Sequence, residues 1–338
     1  MLRVFFYGRI GFEDAEDPNP YISDLVNSLS QNFEIANKKD YKIGVLGLFR
    51  YLFRADIFYL NWIENIPNNR FGSLQSLAFF LFLLLTKVLG KKTVWTLHNK
   101  YSHDQKRNYW IDLIFKTMIK YSDLVLTHSQ VGLDFINEEY PGHSSKAVYI
   151  IHPVAEALPI EPDSEKKYDF LIWGSVQPYK GIVEFLKFVN GSPDMQSLKI
   201  LIVGKCFDKD YKKEIDKYLS GNVIYLDEFY ELKDISVFAS QSKFILFPYK
   251  TESILSSGSL IDSIRMHACI IGPNDGAFKD LSIYSFIHTY NSFEEIITIH
   301  KNCKSSPVLY YNQIDKFCED NSWDRFAGKF EKALSGKA

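Results

Sequence analysis

Short apolar runs alternate with amphipathic stretches along most of the chain. Runs at 2–7, 57–62, 93–97, 124–127 and 147–151 are continuous, brief and rich in β-branched and aromatic residues, which is the pattern of strands buried on both faces. The stretches between them, 21–30, 74–89, 110–121 and 131–139, carry apolar residues three and four apart, as helices with one covered side do. The alternation stops over Pro153 to Lys167, where prolines and charges collect, and resumes at 170–173. Strand patterns at 170–173, 198–203, 223–226, 244–247 and 269–272 then alternate with helical ones at 182–189, 209–219, 232–240 and 259–266. The order predicts α/β architecture with two Rossmann-like, doubly wound parallel sheets. The first domain is expected over 1–155 and the second over 168–318, joined by the proline-containing segment. In such folds ligands sit outside the carboxyl ends of the strands, so the sequence predicts a site in a cleft that the two domains face.

Composition sharpens the class. A chain of 338 residues with 46% hydrophobic positions has room for two cores. Lysine plus arginine number 39 against 41 acids, a balance that disfavours nucleic acid as the main partner. Cys206, Cys269, Cys303 and Cys318 are widely spaced, so neither a disulfide framework nor a zinc site is indicated and a reducing, cytoplasmic setting is expected. The opening MLRVFFYGRIG has an apolar core too short for a signal peptide and reads as the first strand. The segment LAFFLFLLL from Leu77 to Leu85 is too short to span a bilayer, which takes about 20 residues. Two readings stay open for it: a helix buried all round, or an interfacial helix whose neighbours Lys87, Lys91 and Lys92 meet anionic lipid at the inner face of the plasma membrane.

Candidate chemistry concentrates in a few loops. Between the apolar run ending at Phe247-Pro248-Tyr249 and the strand at 269–272 lies Ser256-Ser257-Gly258-Ser259, directly before a helix. Loop amides backed by the positive end of a helix hold anions, and Asp262 one turn inside can accept from sugar hydroxyls. Together they suit a nucleoside diphosphate sugar, although a serine-rich βα turn without a ligand fits the same residues. The loop 8–20, GRIGFEDAEDPNP, follows the first strand. Its Gly8-x-x-Gly11 lacks the third glycine of a dinucleotide fingerprint, and four acids would repel a pyrophosphate, so acceptor recognition is the better use. Glu13, Asp14, Glu16 and Asp17 there offer a base for an inverting transfer, with Asp14 the chosen candidate. No acidic cluster has magnesium spacing; Asp208 and Asp210 beside Lys209 are explained by helix capping. No metal and no other cofactor is expected.

Five segments together resemble glycosyltransferases of the GT-B type, especially bacterial enzymes that build capsular polysaccharide and exopolysaccharide from nucleotide sugars. Phe170 to Gly181, FLIWGSVQPYKG, is similar to the strand and loop that open the family's donor domain, and the resemblance puts Lys180 on the diphosphate. The loop around Gly258 with Asp262 and Ile270-Ile271-Gly272-Pro273 resembles the donor loop, which implies ribose binding by Asp262. Thr96-Leu97-His98-Asn99, followed by His103, is similar to a turn of the acceptor domain. Asp56 to Glu64, DIFYLNWIE, resembles a family strand in which histidine stands where Asn61 is found here. Asn321-Ser322-Trp323 opens a last helix that, in the family, crosses back onto the first domain, here 321–338.

The resemblance implies transfer of a hexosyl group from a UDP- or GDP-sugar to a saccharide or lipid-linked saccharide, without metal and with retention. It places Gly174, Ser175, Lys180, Lys205, Tyr249, Ser256, Ser257, Gly258, Ser259 and Asp262 on the donor, and Gly8, Gly11, Glu13, Asn99 and His103 on the acceptor side. His98, Lys180 and Asp14 are the catalytic candidates. Two departures matter. Eight positions before Asp262 stands Ile254, so the paired glutamates of many retaining members are broken, with only Glu252 nearby. Ser175 replaces an arginine, leaving Lys205 as the substitute cation. A nucleotide-sugar epimerase or phosphorylase of the same fold, or a non-catalytic nucleotide-sugar-binding protein, are the alternatives. His98 could equally be a packed residue at a strand end, and Trp62 and Trp323 read more naturally as packing than as sugar platforms.

Overall fold

The computed structural model describes residues 1–8, 20–38, 44–99, 109–159, 165–250, 255–303 and 310–336. The chain divides into two compact units, Met1–Pro153 with Trp323–Ala338, and Val154–Ser322. Gly11, Glu13, Asp14, Glu16, Asp17, His103, Glu252 and Ile254 lie outside the described residues.

The first unit is built on six parallel strands: β1 (Arg3–Tyr7), β2 (Glu34–Ile35), β3 (Ile57–Asn61), β4 (Lys92–Leu97), β5 (Leu124–Thr127) and β6 (Ala147–Tyr149), in the order β2-β1-β3-β4-β5-β6. Every residue of β3 is buried, which is why its sequence is continuous rather than alternating. Alternation instead separates the layers. Val4, Phe6, Ile57, Tyr59 and Val94 share a core with the Tyr21–Leu29 helix and with Phe326 and Phe330 of the Trp323–Leu334 helix. Phe58, between Ile57 and Tyr59, faces the other way, and its ring meets Phe82 of the Gly72–Val88 helix at 4.9 Å between centroids.

In the second unit the strands are β7 (Tyr168–Trp173), β8 (Ile200–Val203), β9 (Val223–Leu226), β10 (Ser242–Leu246), β11 (Ile270–Pro273) and β12 (Ile287–Tyr290), all parallel, ordered β12-β11-β10-β7-β8-β9. Each sheet therefore reverses its winding once, between β1 and β3 in the first and between β7 and β10 in the second. The loops leaving the carboxyl ends of such a pair diverge to opposite faces of the sheet and leave a crevice.

Two expectations change. The apolar helix is not buried all round: Gly72–Val88 buries Phe79, Phe82 and Leu83 while Leu74, Leu77, Leu81, Leu84 and Val88 are exposed. Edge strands β2 and β12 and the helices Gly276–Leu281, Phe293–Asn302 and Tyr311–Asp320 were not expected. β2 is two residues long, and β12 reads Ile-His-Thr-Tyr, so neither carries a solid apolar run.

Candidate functional site

The crevice of the second unit is lined by the loops after β7 and β10. β7 ends at Trp173, and the chain turns at Gly174 with φ +97°, a conformation glycine tolerates and side-chain-bearing residues rarely adopt. Six residues on, Lys180 closes a short 3-10 turn, Pro178–Lys180, and returns its side chain to the strand end, where Nζ donates to the Trp173 carbonyl at 3.3 Å. Lys180 is 3% exposed. Its ammonium has no ion pair with a described carboxylate, and burial alone pulls its pKa down to about 8. It lies 5.7 Å from the centroid of the Tyr249 ring, a weak substitute for an anion. Gly181, φ +66°, then allows the backbone to pass against the Pro248 carbonyl, where a Cβ would collide. This closeness clamps the β7 loop to the β10 loop.

The β10 loop completes the group. Ser257 caps the Gly258–Arg265 helix by accepting from the Leu260 N–H at 3.4 Å, and shares a 3.3 Å hydrogen bond with the Tyr249 hydroxyl. Ser263 Oγ accepts from the Trp173 indole N–H at 2.9 Å and ties the helix to the end of β7. A Cβ placed on Gly174 would stand 2.8 Å from Lys180 Nζ and 3.1 Å from Ser259 Oγ. A buried cation, a hydroxyl and a helix amino end thus converge over one glycine, and Ser256 Oγ nearby in sequence is buried with no hydrogen-bond partner among the described residues. Charge, hydroxyl donors and helix polarity all favour an anion there.

Gly174→Ala is the direct test of this convergence. The methyl would both strain the backbone and displace the ammonium, so anion affinity should fall by roughly tenfold or more while the unfolding midpoint moves down by only a few degrees. Unchanged nucleotide protection in that variant would disprove the arrangement.

Not every expected donor residue joins this group. Lys205 Nζ is engaged by Asp227, at 3.1 Å from its carbonyl and 3.5 Å from Oδ2, and Lys212 holds the same carboxylate at 2.6 Å. Lys205 Nζ thus faces Asp227, while its backbone borders the Gly174 turn, its carbonyl accepting from the Val176 N–H at 3.0 Å. Asp262 forms an ion pair with Arg265 at 2.9 Å, while Arg265 also donates to the Glu156 carbonyl. Burial raises the Asp262 pKa and Arg265 opposes the rise. Its carboxylate is partly committed, with the remaining oxygen open to a hydroxyl. Ser175 is exposed. Asp208 accepts from the Asp210 and Tyr211 N–H groups as a helix cap.

The carboxyl edge of the first sheet carries an aromatic and imidazole cluster. Asn61 ends β3, Trp62 follows with φ +48°, and His98, His128 and His152 come just after β4, β5 and β6. Trp62 stacks on His98 at 4.5 Å and 15° between planes, and Tyr21, first residue of its helix, packs edge-on against His98 and His128. Asn61 Oδ1 lies 3.1 Å from His98 Nε2, so Nε2 carries the proton and Nδ1 keeps a lone pair. His128 Nδ1 donates to the Ile150 carbonyl at 2.8 Å, which makes Nε2 the acceptor of the Tyr21 hydroxyl at 2.9 Å. His152 Nδ1 is bonded to the Pro153 carbonyl. Burial lowers all three pKa values, helped at His98 and His128 by repulsion from neighbouring imidazoles and opposed at His152 by backbone hydrogen bonds, so that His98 falls to about 3 and His152 to about 4.

His98 is consequently a neutral hydrogen-bonding group at physiological pH, with the Nδ1 lone pair as its acceptor. Asn61 Nδ2 is buried with no partner among the described residues, which leaves a donor at the same edge. Asn99 is half-buried beside it, and Gly8 is packed against Ile22 at the end of β1. Tyr21 and His128 were not singled out from the sequence. A signal was there, since each imidazole follows an apolar run directly: Leu97-His98, Thr127-His128 and Ile151-His152.

Among the described residues no group of three or more His, Cys, Asp or Glu side chains could hold a metal ion, and no helix is long and apolar enough to cross a membrane.

The two sheets have the architecture of GT-B glycosyltransferases. No family model matches the chain, and no curated protein is similar to it. Solved structures do match. Anabaena Alr3699/HepE in complex with UDP superposes with a TM-score of 0.68 at 12% identity, over 99% of this chain and 100% of that one. AviGT4, a glycosyltransferase involved in avilamycin A biosynthesis, gives 0.59 at 11% identity over 99% and 97%. A variant of S. aureus TarM in complex with fondaparinux, alpha-GlcNAc-glycerol and UDP gives 0.62 at 12% identity, over 86% of this chain and 58% of that one. At these identities the shared feature is the fold, and function must be argued from the side chains.

Proposed function

We propose that the protein is a glycosyltransferase that takes a hexosyl group from a nucleoside diphosphate sugar and gives it to a saccharide or lipid-linked saccharide in polysaccharide synthesis. The carrying observation is the buried Lys180 ammonium, without a carboxylate partner among the described residues, converging with Ser259 Oγ at the point where the second sheet reverses. A buried unpaired cation costs stability, and a diphosphate would restore that cost. Breaking the anomeric C–O bond sends negative charge onto the leaving diphosphate, and a fixed cation with helix amides is the machinery that this charge requires. Neighbouring folds hold UDP, as in HepE and TarM, which favours uridine as the base.

Asp262 is suited to the ribose through its unpaired oxygen, and Tyr249 backs the Lys180 ammonium and the Ser257 cap. In the first unit the neutral His98 and Asn61 Nδ2 supply an acceptor and a donor for sugar hydroxyls, and Trp62, half-buried at the same edge, supplies an apolar surface. We infer transfer without a metal, because Lys180 provides cationic charge at the diphosphate, and retention, with the departing phosphate taking the acceptor proton, from the resemblance alone. Asp14 is the alternative base should the product be inverted.

Thermal unfolding with UDP, GDP, ADP and CMP and their sugar conjugates tests the reading. UDP and UDP-sugars should raise the midpoint, and EDTA should leave the rise intact. Release of UDP from a UDP-sugar, with the anomer read by NMR, then separates transfer from mere binding. Absence of protection by every nucleotide would overturn the proposal.

A further inference from the structure

The Gly72–Val88 helix buries one apolar side, with Phe79, Phe82 and Leu83, and exposes another. Its small hydroxyl residues face the core, where Ser76 Oγ donates to the Gly72 carbonyl at 2.8 Å and Thr86 Oγ1 to the Leu83 carbonyl at 2.7 Å, so their polarity is absorbed by the helix itself. Apart from Leu83 and the half-buried Leu85, its leucines face out. Leu74, Leu77, Leu81, Leu84 and Val88 are 68%, 54%, 52%, 57% and 74% exposed. Their spacing of three, four, three and four draws one unbroken stripe along a 17-residue helix, about 25 Å long. Phe71 extends the stripe at its start. Leu46 and Phe53, exposed on the neighbouring Val45–Leu48 turn and the segment after it, widen it on one side. Exposed apolar side chains scattered singly are ordinary; a continuous stripe of this length marks a surface that is covered in use.

The charge around the stripe says by what. Residues 44–55 and 65–99 contain Arg50, Arg54, Arg70, Lys87, Lys91 and Lys92 and no aspartate or glutamate. Among the acids near this region, Asp123 is paired with Lys87 at 2.7 Å, Asp56 with Lys91 at 3.4 Å and with Arg3, and Glu64 is buried. Arg54 and Arg70, whose guanidinium lies 5.1 Å over the Phe71 ring, form no ion pair among the described residues and are exposed, whereas Lys92 donates to the Leu334 carbonyl at 3.2 Å on the helix that covers the other face of the sheet. A leucine stripe of this period could also pair with a second copy of itself, as coiled coils do. That pairing relies on opposite charges beside the seam, and here it would bring like charges together.

We propose that this face lies flat on an anionic lipid surface, with the leucines entering the acyl boundary and Arg54 and Arg70 meeting lipid phosphates. The helix is too short to cross a bilayer, so it binds in the plane of the interface. The inference goes beyond the proposed sugar transfer and does not depend on it, since vesicle binding needs neither donor nor acceptor.

The test is cosedimentation of the whole protein with phosphatidylcholine vesicles and with vesicles of equal parts phosphatidylcholine and phosphatidylglycerol. Association with the anionic vesicles is expected, reduced in high salt. The double variant Leu77→Glu/Leu81→Glu and the double variant Arg54→Glu/Arg70→Glu should each weaken it by roughly tenfold or more, with near-normal unfolding midpoints because all four residues are exposed. Should the first pair fail to fold, Leu77→Ser/Leu81→Ser replaces it. Failure of the wild type to sediment with anionic vesicles overturns the proposal, as does sedimentation untouched by the leucine variants. A dimer in light scattering that the leucine variants dissolve, without vesicle binding, would assign the face to a second copy.

Discussion

Lys180→Met should leave a more stable protein that no longer turns over sugar nucleotide. The ammonium is 3% exposed, and its pKa is drawn from the ordinary 10.5 to about 8 by burial. A lysine whose folded pKa is depressed binds fewer protons folded than unfolded between those two values. Stability therefore rises with pH across the interval from 8 to 10.5, and the full cost of the buried charge is present below pH 8. That cost is about 3 kcal/mol, and methionine of similar length removes it while giving up the single bond to the Trp173 carbonyl, a net gain of about 2 kcal/mol at pH 7. The same change withdraws the charge that faces the leaving diphosphate, and losses of roughly 100- to 1,000-fold in turnover accompany removal of one such group. Protection by UDP should vanish with it. In the wild type that protection should weaken as the pH passes above 8, where the unliganded ammonium begins to lose its proton. Turnover near wild-type rates, or a variant that melts earlier at pH 7, would remove Lys180 from the role proposed for it.

The opposition between stability and activity at Lys180 explains why its role was only partly legible in the sequence. Position could be read: a lysine before glycine, following an apolar run and a glycine loop, falls at a strand-to-helix connection. Burial could not, because it arises from the passage of Gly181 against Pro248 and from Tyr249, all brought in by the pairing of β7 with β10 rather than by neighbours in the chain. Long apolar runs such as Phe170 to Ile172 and Phe244 to Leu246 made the strands and the two-sheet class plain. Strand order was beyond reach of periodicity, and it is strand order that puts Gly174, Lys180 and Ser259 together. Lys205 illustrates the converse. Its place after β8 suggested a free cation, but Asp227 after β9 and Lys212 on the next helix complete a cluster around it that only the β8–β9 pairing reveals. On the first sheet, His98 was visible as a residue after a strand, while its neutrality depends on Trp62, Tyr21 and His152, which are distant in sequence.

Glu64 carries the second large effect, and its sign is the reverse of an ordinary surface glutamate. It follows Asn61 and Trp62 by one turn, is 7% exposed, and has Oε2 buried without a partner among the described residues. Burial lifts its pKa from 4.5 to about 7, against a small opposing effect of its own backbone N–H. A carboxyl with a raised folded pKa binds more protons folded than unfolded between those values, so stability falls as pH rises from 4.5 to 7 and stays low above. The loss is about 3 kcal/mol at its limit. Glu64→Gln keeps the shape and removes the ionisation. The variant and the wild type should therefore unfold at similar denaturant concentrations below pH 4.5, and the variant should be ahead by about 2–3 kcal/mol above pH 7. Urea titrations of both proteins across that range read the difference directly, with all other titrating groups cancelling between them. A difference independent of pH would mean that Glu64 is solvated, and a variant less stable at high pH would mean that the carboxylate is paired or held by a donor. The turn that carries Glu64 also sets Trp62 against His98. Charging this carboxyl loads the segment that shapes the first sheet's edge, so the Gln variant should in addition extend activity to higher pH if that edge receives the acceptor.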